Sequence, residues 1–179
     1  MSYREFAKDY VVEYQQRPGK KRPKAVRVYV GPWYRLAAPE EKIPFIKWYY
    51  LAGIVLQAVS LLIPLSVDCP FTRTWYVVVP LVAAIIPWVL AAGAVWRLWT
   101  AGEKFTREHD SLMGGRMSGA AIFLMGLSFI SCIGCCCQLA VLTPTAKDIV
   151  ASIFCLLSFI CSVAMFAKRK MLDSVQIQQ

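Results

Sequence analysis

Charge is missing from most of this chain. Residues 48–67, 75–96, 117–142 and 149–167 hold no Asp, Glu, Lys, Arg or His, and the whole sequence has a single histidine, His109. A helix rises ~1.5 Å per residue, so an uncharged apolar run of about 20 residues matches a ~30 Å hydrocarbon core. Four such runs in 179 residues, 58% of them apolar, point to a membrane protein. Ion-coupled transporters and proton pumps commonly carry an ionisable group within a span; these runs carry none, and Gln57 is the most polar side chain of the first. Nor does the chain present an acid pair or an activated nucleophile on a rigid element, which argues against an enzyme. No apolar stretch precedes about residue 43, so a cleavable leader is not expected and the first span itself would drive insertion.

What charge there is lies unevenly. Of the 20 Lys and Arg residues, 11 fall within residues 1–47, four within 97–116 and three in the tail. Arg73 and Lys147, one in each remaining connection, complete the set: 18 against 2. By the positive-inside rule both termini and the middle connection are cytoplasmic. Trp33, Tyr34, Phe45, Trp48, Tyr49 and Tyr50 at the start of span one agree, as do Trp75 and Tyr76 at the start of span two and Trp96 and Trp99 at its end. Rings of this kind settle at headgroup depth.

The expected fold is an all-α membrane protein, an antiparallel four-transmembrane-helix bundle in the cell membrane. Its parts are a cytoplasmic basic and aromatic segment (1–45), a transmembrane domain (46–168) with spans at about 48–67, 75–97, 117–142 and 149–167, and a cytoplasmic tail (169–179). The outer connections, about 68–74 and 143–148, are too short for anything but antiparallel neighbours.

Helix association in lipid relies on close backbone approach and on interhelical polar contacts. In span three Gly115, Gly119, Gly126 and Gly134 fall within one sector of about 100° and form the candidate packing face. Span four carries Ser152, Cys155, Ser158 and Ser162. In span two Pro87 lies deep enough to free a carbonyl and bend the helix.

The amino-terminal segment places Tyr3, Phe6, Tyr10 and Tyr14 on one face of a short amphipathic helix over 3–14. Val26–Val30 alternates with period two, and Gly31-Pro32 separates it from Trp33-Tyr34-Arg35-Leu36, which suggests a small β-hairpin. Between them Arg17, Lys20, Lys21, Arg22, Lys24 and Arg27 form a basic cluster suited to anionic inner-leaflet lipid; no nucleic-acid-binding module accompanies it. Residues 97–116 read as a helical extension of span two ended by Gly114-Gly115. His109, between Glu108 and Asp110, reads as a solvated surface residue.

Four of the seven cysteines stand together as Cys132-Ile-Gly-Cys135-Cys136-Cys137. Packing explains them adequately, since Cys behaves as a small apolar residue. Cys136 and Cys137 fall at the same depth as Cys155 on the neighbouring span, so a disulfide or a thiol metal site stays open there. No cofactor is expected.

Three functions compete. A non-catalytic component (a subunit, anchor or immunity-type protein), packing with other membrane proteins or with itself, is favoured. A small uncoupled transporter or channel acting as an oligomer is the first alternative. A thiol-based redox or metal-binding membrane protein is the second.

Overall fold

Backbone amides in hydrocarbon find no water, so an apolar run in a membrane satisfies them along its own axis and becomes a helix. The computed structural model describes residues 6–15, 24–141 and 143–177. It is dominated by four helical runs long and apolar enough to cross a membrane: Glu40–Ser66, Trp75–Thr100, Arg107–Val141 and Ala146–Ala167. Only 33–39% of each run's most apolar window is buried within the chain. The rest faces outward, as with Ile86 and Phe123, which are 69% and 68% exposed. Soluble proteins rarely show so large an apolar surface; for a multi-pass membrane protein it is the lipid contact.

A 3-10 turn (Glu40–Lys42) leads into α1 (Ile43–Ser66), which has Pro44 in its first turn, where a missing N–H costs nothing. The second run consists of α2 (Trp75–Ala83) and α3 (Ile85–Thr100), separated at Ala84. Pro87 lacks the N–H that would bond the Ala83 carbonyl, so the break falls one turn before it. The third run opens with a single turn, α4 (Arg107–Asp110), passes through a π-helical segment (Ser111–Gly115) and continues as α5 (Arg116–Val141). The last run, α6 (Ala146–Ala167), ends in a 3-10 turn, Arg169–Leu172.

The helices close into a ring. α1 packs on α6 and α3, and α5 packs on α6, α2 and α3. The core between them is built from Tyr50, Leu61, Leu81, Leu98, Met113, Met117, Leu124 and Met165, all essentially inaccessible.

A small β layer covers one end of the ring. β1 (Tyr10–Gln15) pairs antiparallel with β2 (Lys24–Tyr29). β3 (Trp33–Leu36) is the centre of a second sheet, with β4 (Phe105–Thr106) on one edge and β5 (Ser174–Ile177) on the other. The amino-terminal segment, the middle connection and the tail therefore meet in one sheet. Tyr29 joins the two sheets: its hydroxyl donates to the Pro32 carbonyl (2.7 Å) and accepts from the Arg107 N–H (3.1 Å), and its ring meets Tyr10 and Trp33 edge-on. At Gly31 a Cβ would lie 2.7 Å from Asp9 Cβ, so only glycine lets these strands approach.

Several expectations are corrected here. Residues 10–15 form a strand, not the second half of an amphipathic helix; the tyrosines at 10 and 14 suit period two as well, and cross-strand pairing with β2 decides between them. Residues 26–29 pair with this strand rather than with 33–36, which takes its partners from distant parts of the chain. The middle connection extends span two only as far as Thr100; its second helical part, from Arg107, belongs to the third run, because Thr106 caps it by accepting from the His109 N–H. Gly114-Gly115 is no break, since the π segment carries the helix through. The fourth helix starts at Ala146, three residues before the apolar run, because Thr145 and Asp148 form a reciprocal capping box.

Candidate functional site

Three places in the molecule bring polar or reactive side chains together. The first is the centre of the bundle. Gln57 on α1 donates from Nε2 to Ser158 Oγ (2.7 Å), Ser158 Oγ shares a 2.8 Å hydrogen bond with Ser128 Oγ on α5, and Ser162 Oγ donates to Gln57 Oε1 (3.4 Å). All four side chains are sealed from outside. A polar side chain in hydrocarbon demands partners, and here three helices supply them to one another. The cluster is satisfied internally, which makes it a fastening between helices.

The second is the cysteine region at the end of the bundle away from the sheet. All seven cysteines are free thiols. Cys135 on α5 and Cys155 on α6 are both buried and face each other near Ser152. The sequence expectation set Cys136 and Cys137 opposite Cys155; instead both point outward, exposed, because residues one and two further round α5 leave the core face. Cys132, Cys135 and Cys136 line an almost wholly apolar cavity of about 240 Å³ with Leu139, Ile149 and Leu156. Among the described residues no group of three or more His, Cys, Asp or Glu side chains is placed to hold one metal ion. The donors the sequence puts side by side are thus spread around the helix.

The third is the sheet end. Of the basic cluster, Arg17, Lys20, Lys21 and Arg22 lie outside the described residues. Lys24 opens β2, and Arg27 stands exposed on the same strand, lining a cavity with Phe6, Tyr10 and Glu108. Inside the rim, Lys47 Nζ donates to the carbonyls of Trp99 (3.3 Å) and Ala101 (3.4 Å), capping the end of α3. His109 Nε2 lies 2.8 Å from the Arg97 carbonyl; a carbonyl only accepts, so this nitrogen carries the proton. The ring packs beside Phe105. His109 is therefore part of the joint between α3 and α4, a role the sequence did not reveal because its partner is a backbone atom 12 residues away.

The four glycines part company. A Cβ on Gly134 would come within 2.9 Å of Val77 Cγ2 and 3.0 Å of Tyr76 Cδ2, so this glycine lets α2 seat against α5. Nearby, Gln138 donates to the Tyr76 hydroxyl. Gly115, Gly119 and Gly126 meet nothing within 4 Å; Gly115 ends the π segment and lines a cavity with Arg169 and Lys170, while Gly119 and Gly126 lie on the side of α5 away from the core, among Ile122, Phe123, Ile130 and Ile133.

Two further features escaped the sequence reading. Asp148, counted there in a connection, is 1% exposed and carries the capping box of α6; the spacing Thr145-x-x-Asp148 was the available signal. Arg97 and Arg116, on different helices, line one cavity. Compared with protein-family models, with curated proteins and with solved structures, the chain matches none.

Proposed function

We propose that this protein is a non-catalytic component of a membrane assembly, a subunit, anchor or immunity-type protein. It lies in the plasma membrane with both termini and the middle connection in the cytoplasm, packs laterally on other membrane proteins, and rests its basic end on anionic lipid of the inner leaflet. The observation that carries this reading is the β4-β3-β5 sheet, which ties the three cation-rich segments to one end of the bundle. Once they share an end, 18 of 20 Lys and Arg residues belong to one side of the membrane, and a bias of that size marks the cytoplasmic face.

The lateral contact is assigned to the outward face of α5. There Gly119 and Gly126 leave a shallow track between apolar side chains, and a partner helix gains van der Waals contact by entering it. A non-catalytic role is supported by the way the polar groups are occupied: Gln57 and its serines bond one another, and His109 donates to a backbone carbonyl.

The test is purification in mild detergent with identification of whatever co-elutes. The expected result is a stable heteromeric partner, lost on Gly126→Leu while the melting temperature of the isolated chain stays unchanged. A lone homo-oligomer that conducts solute in liposomes overturns the reading in favour of a channel. For orientation, protease added outside intact cells is expected to spare the Arg17-Pro-Gly-Lys-Lys stretch; cleavage there inverts the topology.

A further inference from the structure

The end of α3 and the beginning of α5 stand side by side with two arginines between them. Arg97 follows immediately on the charge-free run 75–96, and Arg116 immediately precedes the run 117–142. Both guanidiniums therefore sit where hydrocarbon gives way to headgroups. They line one cavity of about 460 Å³, together with Gly93, Trp96, Thr100 and His109. No carboxylate is among its lining residues: Glu108 and Asp110, the nearest acids in sequence, line other cavities. Among the described residues neither guanidinium makes a salt bridge or a hydrogen bond. Two forked, permanently charged donors on the walls of one cavity, with no carboxylate among them, give it a cationic lining suited to an anion.

The remaining walls say which anion. Trp96, 70% exposed, projects beside the cavity as an interfacial ring. One turn deeper, Gly93 lines the cavity and meets nothing within 4 Å, so this wall is open on the side toward the bilayer interior. The carbonyls ending α3 would repel an anion, but Lys47 and His109 already donate to three of them, at Trp99, Ala101 and Arg97.

We infer that this cavity is a binding site for one anionic phospholipid, its phosphate held by Arg97 and Arg116 and an acyl chain laid along α3 over Gly93. The inference deepens the inner-leaflet docking proposed above and rests on that reading. It assigns the contact to a cavity in the bundle, not to the long-range attraction of the 17–27 cluster.

Native mass spectrometry of the isolated chain, stripped of lipid in a nonionic detergent, tests it. The protein is titrated with phosphatidylglycerol, with phosphatidylcholine of the same chains, and with inorganic phosphate. The expected result is a one-lipid adduct with phosphatidylglycerol at roughly tenfold lower concentration than with phosphatidylcholine, whose choline cation would set a further positive charge beside the two arginines. R97Q/R116Q should abolish that preference, Gly93→Leu should weaken binding of both lipids, and K20Q/K21Q/R22Q should leave it intact. Equal binding of the two lipids by the wild-type chain overturns the inference, and needs no variant to fold. So does a preference that survives R97Q/R116Q or disappears in K20Q/K21Q/R22Q. Inorganic phosphate that displaces the lipid at equal concentration also overturns it, in favour of a free-anion site. The two tests are separate: an extract in mild detergent that yields no co-eluting protein refutes the subunit reading alone, and an isolated chain that shows no phosphatidylglycerol preference refutes this inference alone.

Discussion

Gln57 shows how one polar side chain organises an apolar bundle. Buried completely, it binds Ser158 and Ser162 on α6, and Ser158 binds Ser128 on α5. Gln57→Leu is expected to lower stability by about 1 kcal/mol, the usual size of an interhelical hydrogen bond in a membrane, read by detergent-induced unfolding. Gly134 is a sharper test of packing. Gly134→Leu must push into Val77 and Tyr76 and is expected to cost about 1–3 kcal/mol. Gly126→Leu, with nothing in its way inside the chain, should leave the same unfolding curve in place. Tyr29 carries a pH dependence. Burial raises its pKa above the usual value of 10.0, and the bond from the Arg107 N–H works in the opposite direction but is smaller. A pKa raised by folding gives stability that is complete below the unfolded value and is lost as pH climbs through the folded one. The β layer is thus expected to loosen above about pH 10, seen as faster amide exchange in β2 and β3, and Tyr29→Phe should remove that step.

Among the elements, the start of α6 and the break in the second span follow from short local rules. The Thr145 side chain accepts from the Asp148 N–H, and Asp148 returns the bond to the Thr145 N–H (2.9 Å). Thr145→Ala is expected to lower stability by about 1 kcal/mol, the common effect of losing an N-cap. These rules were legible in the sequence, Pro87 by its position and Thr145 by its spacing. Of the strands, only 26–30 and 33–36 were, and their true partners were not. Residues 10–15 satisfy both helical and strand periodicity, and β4 and β5 are too short to carry a period at all. They exist because β3 offers them edges. The helical turn at Arg107 was assigned to the wrong span for the same reason: the β4 contact that stops α3 from continuing lies more than 70 residues away in the chain.

At the scale of the whole molecule, the β layer holds three chain segments that would otherwise be separate. Deleting residues 174–177 bares one edge of β3 and takes away the Tyr34–Gln176 and Arg35–Val175 pairings. The amino-terminal 45 residues are then expected to be cut by limited proteolysis in detergent several times faster, while helix content by circular dichroism stays the same. Unchanged cleavage would mean that β1 and β2 are held by the membrane or by their own contacts. The candidate sites follow the same division of scale. The cysteine run and the glycine series looked like units in sequence, but a helix distributes adjacent residues around its axis at 100° each. Cys135 consequently turns inward to Cys155 while Cys136 and Cys137 turn out, and Gly134 leaves the face of Gly119 and Gly126.

The order of residues alone determined that four helices cross a membrane, because burial in hydrocarbon is a property of each run by itself: enough apolar residues in succession, and no charge among them. It determined the uneven distribution of Lys and Arg for the same reason. Which residues meet was decided only by the tertiary structure. The Gln57 cluster, the Cys135–Cys155 contact, the three-stranded sheet and the Arg97–Arg116 cavity each join positions far apart in the chain. Their energies arise from pairs, and no single run contains both members of the pair.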